Sequence, residues 1–248
     1  MTSLGMPALP PPTDPPWKQA WDNALFGPSG YLRSRPVPFS RPRDAVLSVS
    51  LSRAAELSAA EVALLGAAGE LAPELAGAGL DVRFDVPPGF GGLVVAVDWL
   101  AHVPTHVVEV FVDGHPRLVH VATSGREALG ARLSETSVPQ SIGLWLTEWW
   151  PVVDFGVGAR AEVGTSRDAA WAGVVRRLGA GGVALAFEPG HLSSGRPPAG
   201  SLASPSGPPV PDGSHDLYAA VALDSVAAAS GGKVVDSGGV SYVESGPA

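Results

Sequence analysis

Apolar residues along the chain fall into short runs that are separated by glycine- and proline-rich segments. Two of these runs, Leu93–Val97 and Val183–Phe187, are apolar at every position, which is typical of parallel strands covered by helices on both faces. Apolar residues with helical spacing between positions 165 and 178 precede the second run, and this order is typical of a crossover unit. The pattern therefore predicts an α/β fold with a mostly parallel sheet.

The region between and around these runs predicts further elements. Two runs rich in β-branched residues flank Asp113 and Gly114, a dipeptide suited to a tight turn, so residues 107–121 predict an inserted β-hairpin. Residues 44–76 are rich in Ala and Leu and predict mainly helix, with a short strand at 61–65 as the alternative. A last helix is expected at 216–229.

The distribution of proline and glycine predicts the domain organisation. Residues 1–16 are rich in proline and predict a disordered, extended arm. Residues 17–45 predict an N-terminal extension of helix and loop, and residues 46–235 predict the α/β domain. Within that domain, the Ser-, Gly- and Pro-rich stretch 193–214 predicts a mobile loop. Residues 236–248 predict a flexible tail.

Composition and charge narrow the possible classes of function. The 248 residues carry a formal net charge of −8, which disfavours general attraction to nucleic acid. The absence of cysteine excludes disulfides, thiolate metal ligands and cysteine nucleophiles. No apolar run approaches the ~20 residues of a membrane-spanning helix, and the first 16 residues do not have the pattern of a secretory signal. We therefore expect a cytoplasmic protein with neither nucleic acid nor membrane as a partner.

Several familiar catalytic motifs are missing from the sequence. There is no Gly-x-Ser-x-Gly elbow of a serine hydrolase, and no phosphate-binding loop that ends in Gly-Lys-Ser or Gly-Lys-Thr. His102 and His106 have helical ligand spacing, but the Val-rich sequence after them disfavours a helix and no third ligand is evident, so no metal site is expected. Residues 66–70 (Gly-Ala-Ala-Gly-Glu) are compatible with a glycine turn beside a cofactor or with a plain helical segment.

Five stretches together resemble the MidA-like class I methyltransferases, a family that uses S-adenosylmethionine. The similarity begins at Ala20-Trp21 and residues 25–31, and it is most specific at 160–164 and 167–171. Residues 96–104 lie where the family has an Asn-Glu-x-Leu-Asp-x-x-Pro pattern, and residues 211–217 complete the match. The resemblance covers approximately residues 17–230, so it concerns most of the chain.

This resemblance implies a function and a set of site residues. It implies a Rossmann-like sheet and the transfer of a methyl group from S-adenosyl-L-methionine to a protein side chain, with arginine as the expected acceptor. The residues expected to bind the cofactor are Gly66, Gly69 and Glu70. The catalytic candidates are Asp98, which is expected at the carboxyl end of a buried strand where open α/β sheets bind ligands, together with Glu188 and His191.

The sequence also departs from the family pattern, and this supports a second hypothesis. Ala63 stands where the family has an acidic residue before its glycine loop, and of the glycines only Gly66 and Gly69 align. The family's next strand, whose acidic end holds the ribose, has no evident counterpart between Leu75 and Asp81, which leaves open a sheet with one strand fewer. The alternative is a degenerate, catalytically inactive member that serves as a scaffold or regulatory partner, in a homodimer or heterodimer.

Overall fold

The computed structural model describes residues 12–247. The helices are α1 (Trp17–Phe26), α2 (Arg43–Leu57), α3 (Ala72–Gly77), α4 (Gln140–Trp149), α5 (Thr165–Val175) and α6 (Leu223–Ala229). The strands are β1 (Glu61–Gly66), β2 (Asp81–Arg83), β3 (Leu93–Val97), β4 (His106–Val110), β5 (Pro116–Val121), β6 (Glu127–Arg132), β7 (Arg160–Val163), β8 (Val183–Phe187), β9 (Gly190–His191), β10 (Val221–Ala222), β11 (Lys233–Ser237) and β12 (Val240–Ser245). Within residues 12–247, every helix is too short or too polar to cross a lipid bilayer.

A six-stranded sheet with the order β11-β12-β8-β3-β1-β2 forms the centre of the molecule. Strands β2, β1, β3 and β8 are mutually parallel, and every residue of β3 and β8 is buried. Helices α5 and α6 pack on one face of this sheet, and α2 and α3 pack on the other. Helices on both faces remove both sets of strand side chains from water, so the predicted α/β fold is confirmed.

The predicted hairpin belongs to a second, antiparallel sheet with the order β6-β5-β4-β7. Strands β4 and β5 pair around the turn at Asp113 and Gly114, where Gly114 has a φ of +76°. Helix α1 covers one face of this sheet, where Trp21 is fully buried against Val107 and Val119. The N-terminal extension therefore contributes to the core of the fold.

The segment 236–248 is not the flexible tail that the sequence predicted. Strands β11 and β12 form a hairpin, and β12 lies in the central sheet antiparallel to β8, with Val243 opposite Ala186. Val243 is fully buried, and the indole nitrogen of Trp171 donates a hydrogen bond to the Ser245 hydroxyl at 3.2 Å. The prediction was wrong because buried β8 needs hydrogen-bond partners on both edges, and β12 supplies one set of them.

The predicted N-terminal arm is partly ordered. Residues 1–11 lie outside the described residues, but the carbonyl of Pro15 accepts a hydrogen bond from the Val121 amide at 3.0 Å. The His120 ring also bonds the carbonyl of Asp14 at 2.7 Å. The end of the arm, residues 12–16, is therefore attached along β5 rather than free.

The sequence overpredicted helix in two places. Helix α2 ends at Leu57, because Ser58 adopts a left-handed conformation with a φ of +50°, and β1 follows as the alternative strand assignment predicted. Of residues 216–229, only α6 is helical, and the preceding residues lead into β10. In both places a strand or extended segment begins where Ala and Leu had favoured helix.

Part of the predicted mobile loop 193–214 is attached to the rest of the fold at Arg196, Ser201 and Leu202. The buried carboxylate of Glu162 accepts hydrogen bonds from the Ser201 amide and hydroxyl and from the Leu202 amide. The guanidinium of Arg196 is buried and pairs with Asp224 at 2.7 Å. Buried charges with several partners fix this loop to the rest of the fold.

The central sheet keeps a strand beside β1. Strand β2 has three residues and pairs in parallel with β1, from Asp81 opposite Glu61 to Arg83 opposite Ala63. The gap that the sequence indicated between Leu75 and Asp81 therefore does not remove the strand next to β1.

Truncation after Ser237 would remove β12 and leave the amides of β8 without acceptors on that edge. We expect the shortened chain to lose cooperative thermal unfolding, because Tyr242 and Val243 leave the core. Truncation after Ser245 is the matched control, and it should change the free energy of unfolding by less than about 0.5 kcal/mol. Circular dichroism melting curves measure both effects, and equal melting of the two truncated chains would contradict this role of β12.

Candidate functional site

The carboxyl ends of β1, β3 and β8 lie together at one edge of the central sheet. The chain passes from β1 outward to β2 and then returns to the other side of β1 as β3, so the strand order reverses between β1 and β3. In open α/β sheets, ligands bind beyond the carboxyl ends of the strands at such a point. Asp98 directly follows β3 and Glu188 directly follows β8, as the sequence predicted.

Asp98 is buried and lies in a turn that few residue types tolerate. Only 2% of the residue is exposed, and its φ of +50° is a left-handed conformation in which Asp and Asn are favoured over other side chains. Its carboxylate accepts hydrogen bonds from the amide of Ser40 at 2.6 Å and from the Ser40 hydroxyl at 2.7 Å. The Nε of Arg41 lies 3.5 Å from the same carboxylate. Asp98 is therefore held by the segment that precedes α2.

A cavity of about 260 Å³ lies beside Asp98. Its polar lining comes from Asp98, His102, Asp216, Tyr218, Ser40 and Arg41. One carboxylate oxygen of Asp216 lies 3.0 Å from the Nε2 of His102, whereas the other is buried and has no partner within residues 12–247. Buried carboxylate oxygens are nearly always hydrogen-bonded. A hydrogen-bond donor on a ligand in this cavity would satisfy the second oxygen of Asp216.

His102 and Asp216 form a buried proton-sharing pair. The Nδ1 of His102 lies 2.6 Å from the carbonyl oxygen of Asp98, which only accepts, so Nδ1 carries a hydrogen. Its Nε2 faces a carboxylate, so the pair must hold one further proton. Burial by itself lowers the pKa of His102, but the hydrogen bond and charge of Asp216 outweigh it and the net pKa is raised. His102 therefore orients the carboxylate of Asp216.

The contacts of His102 also bear on whether it could bind a metal ion together with His106. Both ring nitrogens of His102 are used within the chain, and His106 lies on β4, so the two histidines do not share a helix face. Among residues 12–247, no group of three or more His, Cys, Asp or Glu side chains is arranged to hold a metal ion.

Glu188 holds the loop that follows Asp98. Its carboxylate accepts hydrogen bonds from the amides of Trp99 and Leu100 at 2.9 Å and from that of Ala101 at 3.0 Å. Burial raises the pKa of Glu188 to about 7, and the amides of Leu100 and Ala101 oppose this increase. These contacts make Glu188 a positioning residue for the loop that carries His102.

His191 faces a second and larger cavity, of about 560 Å³. Its Nδ1 accepts a hydrogen bond from Arg196 at 2.8 Å, and its ring meets that of Trp150 edge-on with the ring centres 4.8 Å apart. Burial lowers the pKa of His191 to about 4, with further lowering by the charges of Arg196 and Arg167. His191 is thus neutral at pH 7. Arg41 lines both this cavity and the smaller one beside Asp98, so the two cavities are neighbours.

The three residues predicted to bind a cofactor lie on the loop at the carboxyl end of β1. Gly66 has a φ of +63°, and a Cβ there would lie 2.5 Å from the carbonyl oxygen of Val97, so the close approach of β1 and β3 requires glycine. A Cβ at Gly69 would contact only the ring of Phe84, at 3.6 Å. The backbone carbonyl of Glu70 accepts a hydrogen bond from Arg43 at 2.9 Å. Gly66 is exposed and Gly69 is half-buried. Gly66 serves the packing of the sheet, and Gly69 leaves room beside the Phe84 ring.

Two residues that the sequence reasoning missed lie beside this loop. Phe84 and Asp85 follow β2, and their side chains are unusually exposed, at 67% for Phe84 and 70% for Asp85. Asp85 follows Gly66 by about 20 residues, the spacing at which nucleotide-binding α/β folds place an acidic residue against the ribose. The alternation of Leu80, Val82 and Phe84 before Asp85 was the signal that could have located this strand end.

Comparisons with solved structures place this geometry in a known fold. A superfamily member from Burkholderia thailandensis, described as a "likely methyl transferase" and bound to S-adenosyl-homocysteine, aligns with a TM-score of 0.65 over 88% of this chain and 73% of its own, at 18% identity. This chain shares its Rossmann-like fold with that protein. An uncharacterized protein of the same superfamily and organism aligns with a TM-score of 0.64 at 18% identity, over 88% of this chain and 72% of its own. No family model and no curated protein matches the sequence.

These two likenesses confirm the Rossmann-like fold that the sequence predicted. At 18% identity they establish the fold alone, because a fold carries many functions. Asp98, Asp216 and the loop after β1 must therefore be argued from their own chemistry.

The titration of Glu188 should appear in the pH dependence of stability. Its pKa is raised from 4.5 to about 7, so the folded chain binds more protons than the unfolded chain in this range. The contribution of Glu188 to the free energy of unfolding is fully present below pH 4.5 and is lost as the pH rises through 7. Glu188→Gln removes the titration, so the stability of the wild type relative to the variant should fall by up to about 3 kcal/mol across this range.

Urea unfolding at a series of pH values measures this difference directly. Comparison with the variant cancels the opposite contributions of His106 and His191, whose lowered pKa values add stability as the pH rises. A difference that does not change with pH would mean that Glu188 has the same pKa in the folded and unfolded chains.

Proposed function

We propose that this chain is an S-adenosylmethionine-dependent methyltransferase that acts on a protein side chain, namely arginine. The observation that carries the proposal is the pair of buried carboxylates, Asp98 and Asp216, that line one cavity at the point where the strand order reverses. The shared fold with a protein bound to S-adenosyl-homocysteine supports the choice of cofactor.

The loop after β1 and the end of β2 suit the adenosine part of this cofactor. Asp85 offers an accessible carboxylate for two ribose hydroxyls, and Phe84 offers an exposed aromatic face beside Gly69. Gly69 places no side chain between this surface and the loop backbone. When bound, the cofactor would supply an electrophilic methyl group on its sulfonium.

The acceptor would be held by the two carboxylates. A guanidinium presents five N–H donors in one plane, and one of them would satisfy the orphaned oxygen of Asp216. Methyl transfer depends mainly on the alignment of donor and acceptor, so two fixed carboxylates would aid it by orienting the nitrogen. The reaction releases one proton from the guanidinium, and the carboxylate of Asp98 would accept it.

A second candidate function is a scaffold without catalysis. The observation that favours it is the occupation of Asp98 by Ser40 and Arg41. In this case the fold would present its surface to a protein partner, and the ability to bind the cofactor would be reduced or lost.

Calorimetric titration with S-adenosyl-homocysteine separates these candidates. We expect the wild type to bind at micromolar affinity and Asp85→Asn to bind at least about tenfold more weakly, because the ribose loses a charged hydrogen-bond partner. Asp81→Asn is the matched control, because Asp81 is exposed at the opposite end of β2 and should leave the affinity unchanged. No binding by the wild type would favour the scaffold.

The acceptor carboxylates are tested by methyl transfer to an arginine-containing peptide. Asp98→Asn and Asp216→Asn should each reduce turnover by about 100-fold, because the guanidinium loses its orientation. Asparagine tolerates the left-handed turn at Asp98, so the melting temperature should stay close to that of the wild type. Asp212→Asn, in the same loop but exposed, is the control. Unchanged turnover in the Asp98 and Asp216 variants would exclude this acceptor site.

A further inference from the structure

The segment 34–42, here called the strap, lines the 260 Å³ cavity beside Asp98 through Pro38, Ser40 and Arg41. It forms neither helix nor strand, and Ser40 is exposed within it. Val37 and Phe39 are half-buried against the α2 face of the sheet. Among the described residues, no backbone-to-backbone hydrogen bond ties positions 34–41 to the rest of the fold. Segments with so few backbone hydrogen bonds open at a low cost in free energy.

The strap is attached at the candidate site by Ser40 and Arg41. The amide and hydroxyl of Ser40 both donate to the Asp98 carboxylate, and Arg41 brings a positive charge to 3.5 Å from it. Arg41 also donates to the Ser40 hydroxyl at 3.1 Å. Asp98 thus receives N–H donors and a guanidinium charge from its own chain, which are the groups that the proposed acceptor would bring.

The contacts of the strap leave the site only partly satisfied. Asp98 is fully engaged, but the second oxygen of Asp216 stays without a donor in the described chain. Arg41 lines the 260 Å³ cavity and the 560 Å³ cavity alike. Withdrawal of the strap would therefore remove Arg41 from the lining of both cavities and free Asp98, which lines the smaller cavity together with Asp216, to bind a ligand.

We propose that the strap is an internal pseudosubstrate that closes the acceptor site, so that strap and acceptor exclude each other at Asp98. This inference rests on the proposed function, because it assumes a cationic acceptor at that carboxylate. The acceptor then binds only the fraction of molecules in which the strap is open, and its apparent affinity is reduced by that fraction.

The test compares the wild type with the double variant Ser40→Ala/Arg41→Ala. The matched control is Arg35→Ala, which alters the same segment but removes a side chain that stacks on the Tyr31 ring, at 4.6 Å from its centre, and not on Asp98. Hydrogen–deuterium exchange of the backbone amide at position 40, which donates to Asp98, measures opening of the strap. Calorimetry with the peptide acetyl-Gly-Arg-Gly-amide, in the presence of S-adenosyl-homocysteine, measures access to the acceptor site.

The expected result is faster exchange of the strap in the double variant and peptide binding that is about tenfold tighter than in the wild type, with neither change in Arg35→Ala. Unchanged exchange, or faster exchange without tighter peptide binding, would overturn the strap as a closing element while S-adenosyl-homocysteine still binds. Failure of S-adenosyl-homocysteine to bind any of these proteins would overturn the proposed function itself, and the strap would then be a structural attachment only.

Discussion

The carboxylate of Glu188 accepts hydrogen bonds from three backbone amides at the point where β3 and β8 end. Removal of a carboxylate from water is costly unless several donors replace the lost hydration, and residues 99–101 supply these donors. In return, the chain after β3 is held in a tight 3₁₀ turn. The left-handed backbone of Asp98 and the position of His102 both follow from this turn. The cavity beside Asp98 therefore depends on Glu188, although the Glu188 side chain lines the larger neighbouring cavity instead.

A buried cation secures the same loop from the other side. The guanidinium of Arg167 is almost completely buried and donates to the carbonyls of Ala101 at 3.1 Å and Ala220 at 2.8 Å. Burial lowers the pKa of Arg167 to about 10, and the charges of Glu162 and Glu188 partly oppose this, so it stays charged at neutral pH. Glu188 thus binds the amides of the loop and Arg167 binds its carbonyls. Arg167 also holds the segment that carries Asp216, and so connects the two segments that carry Asp98 and Asp216.

The sequence predicted those parts of the fold that rest on local pattern. Two runs are apolar throughout, Leu93–Val97 and Val183–Phe187, and both are buried strands. The end of the first run located Asp98 at the edge of the sheet. Strand β1 was only an alternative, because its Ala and Leu residues favour helix when read alone. The tail was misassigned because Gly and Ser surround the short apolar alternation of β12, and only the open edge of β8 reveals its place.

The polar contacts of the site could not be predicted in this way. Ser40 lies 58 residues before Asp98, and His102 lies 114 residues before Asp216. No local spacing relates such residues. The spacing of His102 to His106 indicated only a possible metal-ligand pair. Contacts of this kind follow from the topology, which brings distant turns to the same edge of the sheet.

The place of β12 also bears on how the chain is made. Val243 pairs with Ala186, nearly sixty residues earlier in the chain, so one edge of β8 stays open while the intervening residues are synthesised. A hydrophobic strand with an unpaired edge is prone to associate with other chains. The central sheet therefore closes late in translation, and nascent chains that have passed β8 but not yet β12 are the form of this protein with the greatest need of a chaperone.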